Sequence, residues 1–177
     1  MPRSADAGDV PRLFHVSDAG PLSTMAPRPS PPGTQHEGRP LVWAVDDEHL
    51  AHYLLPRDCP RVCWLVPDVG PSLLASPARR VVAVEHAWAP RVADATVWVH
   101  ELPRDGFTLL DAVAGYWVGE RPVEVVTARR VTDCPAALAA RGVELRPART
   151  LWPYVDAAVA ADAAFSAIRM RHAAPRD

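Results

Sequence analysis

The sequence predicts an α+β fold: a single domain with a twisted, mostly antiparallel sheet and a C-terminal helix. Three observations predict it. The chain has 177 residues, 49% of them hydrophobic, enough for one substantial core and too few for two domains of ordinary size. Strand-like segments outnumber helical ones and alternate with them irregularly, the pattern of an α+β rather than a repeating βαβ architecture. Neither GxGxxG nor GxxxxGK(S/T) follows a strand-like segment, so the sequence signals no Rossmann unit and no P-loop.

Residues 1–11 are small, polar and punctuated by proline, and read as a disordered extension ahead of a domain spanning 12–177. Residues 13–17 form a short strand. Prolines 21, 27, 29, 31, 32 and 40 and glycines 20, 33 and 38 then make 18–40 a long loop. Loops of that length in small domains are often functional lids. Residues 41–45 read as a buried strand, after which Asp46 and Asp47 offer N-capping oxygens to a helix running to Leu55 and stopped by Pro56. Further strands are expected at 61–66, 80–85 and 96–101, with a short helix in 86–94 ending near Pro90.

Glycines 106, 115 and 119 make residues 102–119 a loop with at most one helical turn at 108–113. A strand follows at 123–131. An alanine-rich helix at 134–141 ends at Gly142, and residues 143–146 form an edge strand. Pro153 opens the C-terminal helix, on which Tyr154, Ala158, Ala161, Phe165 and Ile168 make one apolar stripe.

Nineteen basic and 21 acidic residues give a formal charge of −2, without the cationic excess that long nucleic acid requires of a partner. Every basic residue is arginine, lysine and asparagine are absent, and Ile168 is the sole isoleucine, a bias expected of a GC-rich bacterial genome. No apolar run approaches the roughly 18 residues of a membrane span, and the N-terminus carries no signal-peptide core. A cytoplasmic protein without a membrane partner is expected. The odd set Cys59, Cys63 and Cys134 reads as reduced thiols.

Several constellations carry chemistry. His49 and His52, three apart on the expected helix, share a face and form a zinc candidate with Cys59 or Asp46; the plainer reading leaves them partly exposed, since Leu50 and Leu54 supply the helix with its apolar side, and no metal site is expected. His15 and Ser17 alternate onto one face of the first strand, but GxSxG is absent and no acid partner can be assigned, so a hydrolase is disfavoured. The acids Glu101, Asp105, Asp111, Glu120 and Glu124 are candidates for paired-carboxylate chemistry, each equally readable as a solvated loop acid or as a partner of Arg104, Arg121, Arg129 or Arg130. Glu120 stands out, because it follows Gly119 close behind the pair Tyr116-Trp117.

The stretches RLFHVS (12–17), LVWAV (41–45), LAHYLLPRDCPRV (50–62), AGYWV (114–118) and FSAIRMR (165–171) together resemble an uncharacterised bacterial family of unknown function, nearly over the whole chain beyond residue 11. More distantly the layout is similar to ADP-ribosyltransferase-like folds, including rifamycin ADP-ribosyltransferases and RNA 2'-phosphotransferases that consume NAD. The resemblance sets His15-Val16-Ser17 against those families' His-Gly-Thr strand, and the segments 97–103 and 116–126 against later elements. It implies NAD as cofactor, with His15 on a ribose hydroxyl, Ser17 on the nicotinamide half, and Trp43 or Tyr53 stacking on the ring. Tyr116 joins the cleft, Arg57 and Arg169 contact phosphate, and Glu120 is the carboxylate that stabilises the oxocarbenium-like ribose. It implies transfer of ADP-ribose to an unknown acceptor. Val16 departs from the glycine, and Gly115-Tyr116-Trp117 stands where catalytic members carry the acid. Those departures leave open a second expectation, a non-catalytic nucleotide-binding or interaction module of the same fold.

Overall fold

The computed structural model describes residues 10–32, 34 and 36–176; most of the expected N-terminal extension, 1–9, lies outside them. The chain forms one small domain, mostly strands. In order these are β1 (Leu13–Ser17), β2 (Thr24–Met25), β3 (Arg28–Pro29), β4 (Pro40–Asp46), β5 (Arg61–Leu65), β6 (Arg80–Glu85), β7 (Val97–Leu102), β8 (Phe107–Asp111), β9 (Tyr116–Gly119), β10 (Val123–Glu124), β11 (Thr127–Val131), β12 (Val143–Ala148) and β13 (Phe165–Ile168). Three short helices join them: α1 (Ala89–Asp94), α2 (Cys134–Ala139) and α3 (Trp152–Ala160).

The strands fall into two main sheets. Sheet 1 has the order β11-β7-β1-β4-β9-β8, antiparallel throughout, with β3 added beside β4. Sheet 2 has the order β12-β6-β5-β13, antiparallel except where β12 runs parallel to β6. The pair β2 and β10 forms a small ladder of its own.

Period-two alternation decides which side chains meet. Phe14, Val45, Val97 and Val99 of sheet 1 share one apolar cluster with Cys63, Val82 and Val84 of sheet 2, together with Leu50, Leu54 and Leu55. The opposite face of sheet 2, with Val62, Trp64, Val81 and Ala83, packs against Leu74, against Leu151 just before α3, and against Ala158 on α3. The opposite face of sheet 1 buries Leu13, Val42, Ala44, Leu102, Phe107 and Trp117.

Six expectations are corrected. The helix expected through Leu55 is one 3₁₀ turn, Leu50–Tyr53. Instead of capping an α-helix, the Asp46 carboxylate accepts both the His49 backbone N–H (3.0 Å) and its Nδ1–H (2.7 Å) through one oxygen, and Pro56 leaves no room for further turns. The loop 18–40 contains β2 and β3. The loop 102–119 contains the β8–β9 hairpin: Gly115 is a left-handed residue (φ +69°) of its turn, and Gly106 is a left-handed residue (φ +83°) of the link that leads from β7 into β8. The strand expected over 123–131 is divided, because β10 pairs with β2 while β11 pairs with β7.

The largest correction is the C-terminus. The helix stops at Ala160, where Asp162 takes a left-handed conformation (φ +49°) and the Ala163 N–H donates to the Ala158 carbonyl at 3.0 Å, closing the end. Phe165 and Ile168, expected on a helical stripe, lie instead on β13 and enter two different clusters. Pro90 also sits in the first turn of α1 rather than ending it. The helix near 134, its stop at Gly142 (φ +68°) and the edge strand after it stand as expected.

Two predictions follow from the turn after β4. A methyl at Gly115 would fall 2.2 Å from His49 Nδ1, on a backbone that disfavours a side chain. Gly115→Ala should therefore lower stability by about 3 kcal/mol or more in urea denaturation, and an unchanged midpoint would refute this close packing. His52 is buried with no partner for its Nδ1, while Arg80 Nη1 approaches Nε2 at 3.4 Å. Burial, then the charges of Arg80, His49 and Arg61, push its pKa well below the ordinary 6.5. The unfolded chain thus takes up a proton that the folded chain refuses, so this contribution is complete above about pH 6.5 and is lost as the pH falls through it. Denaturant midpoints should drop between about pH 7.5 and 5.5, and His52→Leu should flatten the slope; equal slopes would show that another group carries it.

Candidate functional site

The site grows from a parting of two strands. β1 pairs with β7 along all five residues, yet with β4 only at Leu13↔Asp46 and Phe14↔Val45. Beyond that point the His15 side chain engages β4 directly: its Nδ1–H donates to the Trp43 carbonyl at 2.9 Å. This hydrogen bond sets the tautomer and leaves the Nε2 lone pair without a partner among the described residues. His15 is half-buried. Burial lowers its pKa most; the Trp43 carbonyl opposes that shift, and the charges of His100, Arg57 and Arg28 add to it.

His100, opposite His15 in the β1–β7 register, is fully buried. Its Nδ1–H donates to the His15 carbonyl at 3.2 Å and its Nε2 accepts the Leu22 N–H at 3.0 Å, so both ring nitrogens are committed. The loop 18–40 is thereby tied to the strand that carries His15. Ser17 is buried and its Oγ accepts the Ala19 N–H at 3.0 Å, closing the turn that leaves β1.

Trp43, Tyr53 and Tyr116 come together. The Trp43 and Tyr116 rings meet edge to face at 5.6 Å, the Tyr53 and Tyr116 rings lie 6.1 Å apart, and the Tyr53 hydroxyl donates to the Tyr116 hydroxyl. Burial raises the pKa of both phenols. Trp43 Nε1–H donates to Ser30 Oγ at 3.1 Å, a second tie to the loop. Register places Trp43, Val45 and Tyr116 on the sheet face shared with Phe14, whereas His15 alternates to the other face; the His15–Trp43 contact runs through the backbone where the strands separate.

Arg57 and Arg169 come from sequence-distant segments that the fold brings close. The exposed Arg57 precedes β5, and its backbone N–H donates to Asp18 Oδ2 at 3.0 Å. Arg169 follows β13, next to Ile168, the register partner of Arg61. Its backbone is left-handed (φ +57°), a strained state for a side chain of this size. Burial lowers its pKa most, the charges of Arg171, Arg57 and Arg61 lower it further, and Asp58 opposes them. Among the described residues, neither the Arg57 nor the Arg169 guanidinium has an ion-pair partner.

Glu120 lies apart. Its side chain is 68% exposed and pairs with Arg39, and its charge is not among those acting on His15. No group of three metal-ligating side chains occurs among the described residues. His49 and His52 are buried, against the expected partial exposure, and their rings meet at 5.4 Å, but Asp46 occupies His49 Nδ1 and the Cys59 thiol faces the Pro60 carbonyl at 3.6 Å, so the zinc candidate does not assemble. Two cavities of about 300 and 310 Å³ lie elsewhere, one lined by Arg121 and Val123, the other by Asp47, Arg80 and Arg141. No helix among the described residues is long and apolar enough to cross a membrane.

Sequence reading missed Arg28, Arg61, Arg171 and His100. Arg61 and Arg171 were visible only as strand and tail residues, since nothing in their local spacing states that β5 and β13 are neighbours. A pointer did exist in the proline-bounded run Pro56-Arg57-Asp58-Cys59-Pro60-Arg61, which sets two arginines on a link too short for a helix.

No curated protein and no solved structure matches the chain. Residues 14–173, which span every element from β1 to the turn after β13, match the family model DUF6886, and the chain therefore belongs to this family of unknown function.

Proposed function

We propose that the protein binds NAD or a related dinucleotide beside the parted strands β1 and β4. The observation that carries the reading is the state of His15: one nitrogen held by the Trp43 carbonyl, the other a free acceptor, within the field of Arg57 and Arg28. A free imidazole acceptor suits a ribose hydroxyl, and guanidinium charge beside it suits the phosphates that follow. The aromatic group Trp43, Tyr53 and Tyr116 offers ring faces and edges to a base. Arg57 links the two ends, because its charge acts on both His15 and Arg169. The parted strands and two packed sheets are in keeping with an ADP-ribosyltransferase-like fold.

Transfer of ADP-ribose is the extension of this reading, with Glu120 as its carboxylate. The exposure of Glu120 and its pairing with Arg39 favour the second reading, a binding module of the same fold that holds the nucleotide without cleaving it.

Calorimetric titration with NAD, run beside an assay for released nicotinamide, tests both. His15→Ala and Arg57→Ala should each weaken NAD binding by about tenfold while leaving the fold intact by circular dichroism. Affinity equal to wild type in both variants would sink the nucleotide reading. Nicotinamide release that disappears in Glu120→Gln would overturn the binding-only reading in favour of transfer.

A further inference from the structure

The ends of β5 and β13 gather more positive charge than folding requires. Arg57 and Asp58 precede β5, Arg61 is its first residue, and the pairing Arg61↔Ile168 brings Arg169 and Arg171 to the same end of sheet 2. Arg61 is 2% exposed; its Nη1–H donates to the carbonyls of Pro56 and Cys59, both at 3.0 Å, and its Nε–H is buried without a partner. Four guanidinium groups thus converge on a link whose acids are Asp58, Asp18 from the loop side, and the buried Glu85 at the end of β6, whose carboxylate accepts the Ala174 N–H.

Asp58 engages this group only loosely. Its Oδ1 lies 3.9 Å from Arg171 Nη2 and 3.5 Å from His172 Nε2, with all three side chains at least one-third exposed. Such a pair contributes little to stability. Arg169 meanwhile holds a left-handed backbone that costs free energy; its carbonyl accepts the His172 N–H at 2.9 Å, but its guanidinium makes no hydrogen bond or ion pair among the described residues. A strained, unpaired guanidinium beside three others is an arrangement that a multiply charged anion completes.

We infer that Arg57, Arg169 and Arg171, with Arg61 beneath them, form a site for a ligand group carrying two phosphoryl charges, and that Asp58 holds its place as a displaceable internal anion. With Asp58 displaced, four guanidinium charges face the carboxylates of Asp18 and the buried Glu85, a surplus of two, which matches a pyrophosphate group better than a single phosphodiester. The inference deepens the nucleotide reading and rests on it for the rest of the ligand; the pyrophosphate chemistry is shared by a dinucleotide and by free pyrophosphate.

Calorimetry at low ionic strength with inorganic pyrophosphate, and separately with NAD, distinguishes them. Arg171 and Asp58 are exposed at 60% and 55%, so their variants should fold, as circular dichroism would check. Arg171→Ala should weaken pyrophosphate binding by about tenfold, Asp58→Asn should tighten it by about threefold, and Arg130→Ala, on the edge strand of sheet 1, should leave it unchanged. Absence of pyrophosphate binding, or wild-type affinity in both Arg171→Ala and Asp58→Asn, would overturn the site. Pyrophosphate binding with these responses but no NAD binding would keep the site and remove the dinucleotide. NAD binding indifferent to both substitutions would keep the nucleotide reading and remove this one.

Discussion

The structure depends on one apolar layer shared by two sheets. Phe14, Val45, Val97 and Val99 on one side and Cys63, Val82 and Val84 on the other have no other way to leave water, and Leu50, Leu54 and Leu55 from the single turn after β4 complete the same cluster. Each of those leucines is at most 1% exposed, worth roughly 2 kcal/mol of burial apiece. This explains how a segment too short for an α-helix is still well placed. Its position comes from where its leucines go rather than from helical hydrogen bonds.

The same layer creates the polar neighbourhood beside it. Packing sheet 2 against the Phe14 side of sheet 1 brings the start of β5 close to the end of β1, so the Asp18 carboxylate takes the Arg57 N–H. Antiparallel pairing of β13 on β5 then returns the C-terminal arginines to that end. Because every cation in this chain is arginine, crowding does not remove the charge: a guanidinium stays protonated where a lysine would give up its proton. It also sits over ring faces, as Arg61 does over Tyr53 at 5.7 Å and Arg104 over Trp117 at 3.9 Å. The nucleotide proposed above would meet a surface whose charge is built in.

Much of the fold was legible where local chemistry and tertiary packing agree. The strands at 13–17, 61–65 and 80–85 carry β-branched and apolar residues that are buried on both faces, and the helix at 134–139 has its Asp133 cap, accepting the Ala136 N–H at 2.8 Å, and its glycine stop. Legibility failed where a residue had two uses. Gly115 is a helix breaker in a local reading and a hairpin turn in the structure, and only the partner strand decides between the two. Ala161, Phe165 and Ile168 satisfy a helical spacing, yet Asp162 turns left-handed because pairing β13 to β5 covers an edge that a longer helix would leave bare. The candidate site followed the same rule. His15, Trp43, Tyr53 and Tyr116 were readable from sequence as residues worth attention, whereas the arginines around Arg169 were not readable as a group.

By itself the sequence determined the size of the domain, the existence and order of most strands, the α+β class and the all-arginine character of its charge. These follow from composition and period, which act over a few residues. Tertiary structure alone decided that β1 leaves β4 after two pairs, that Glu120 turns to Arg39 and solvent, and that Arg57, Arg61, Arg169 and Arg171 share one end of a sheet. Those outcomes depend on contacts between residues distant in sequence, 81 positions apart for Arg39 and Glu120, and no local preference encodes which strand will lie beside which.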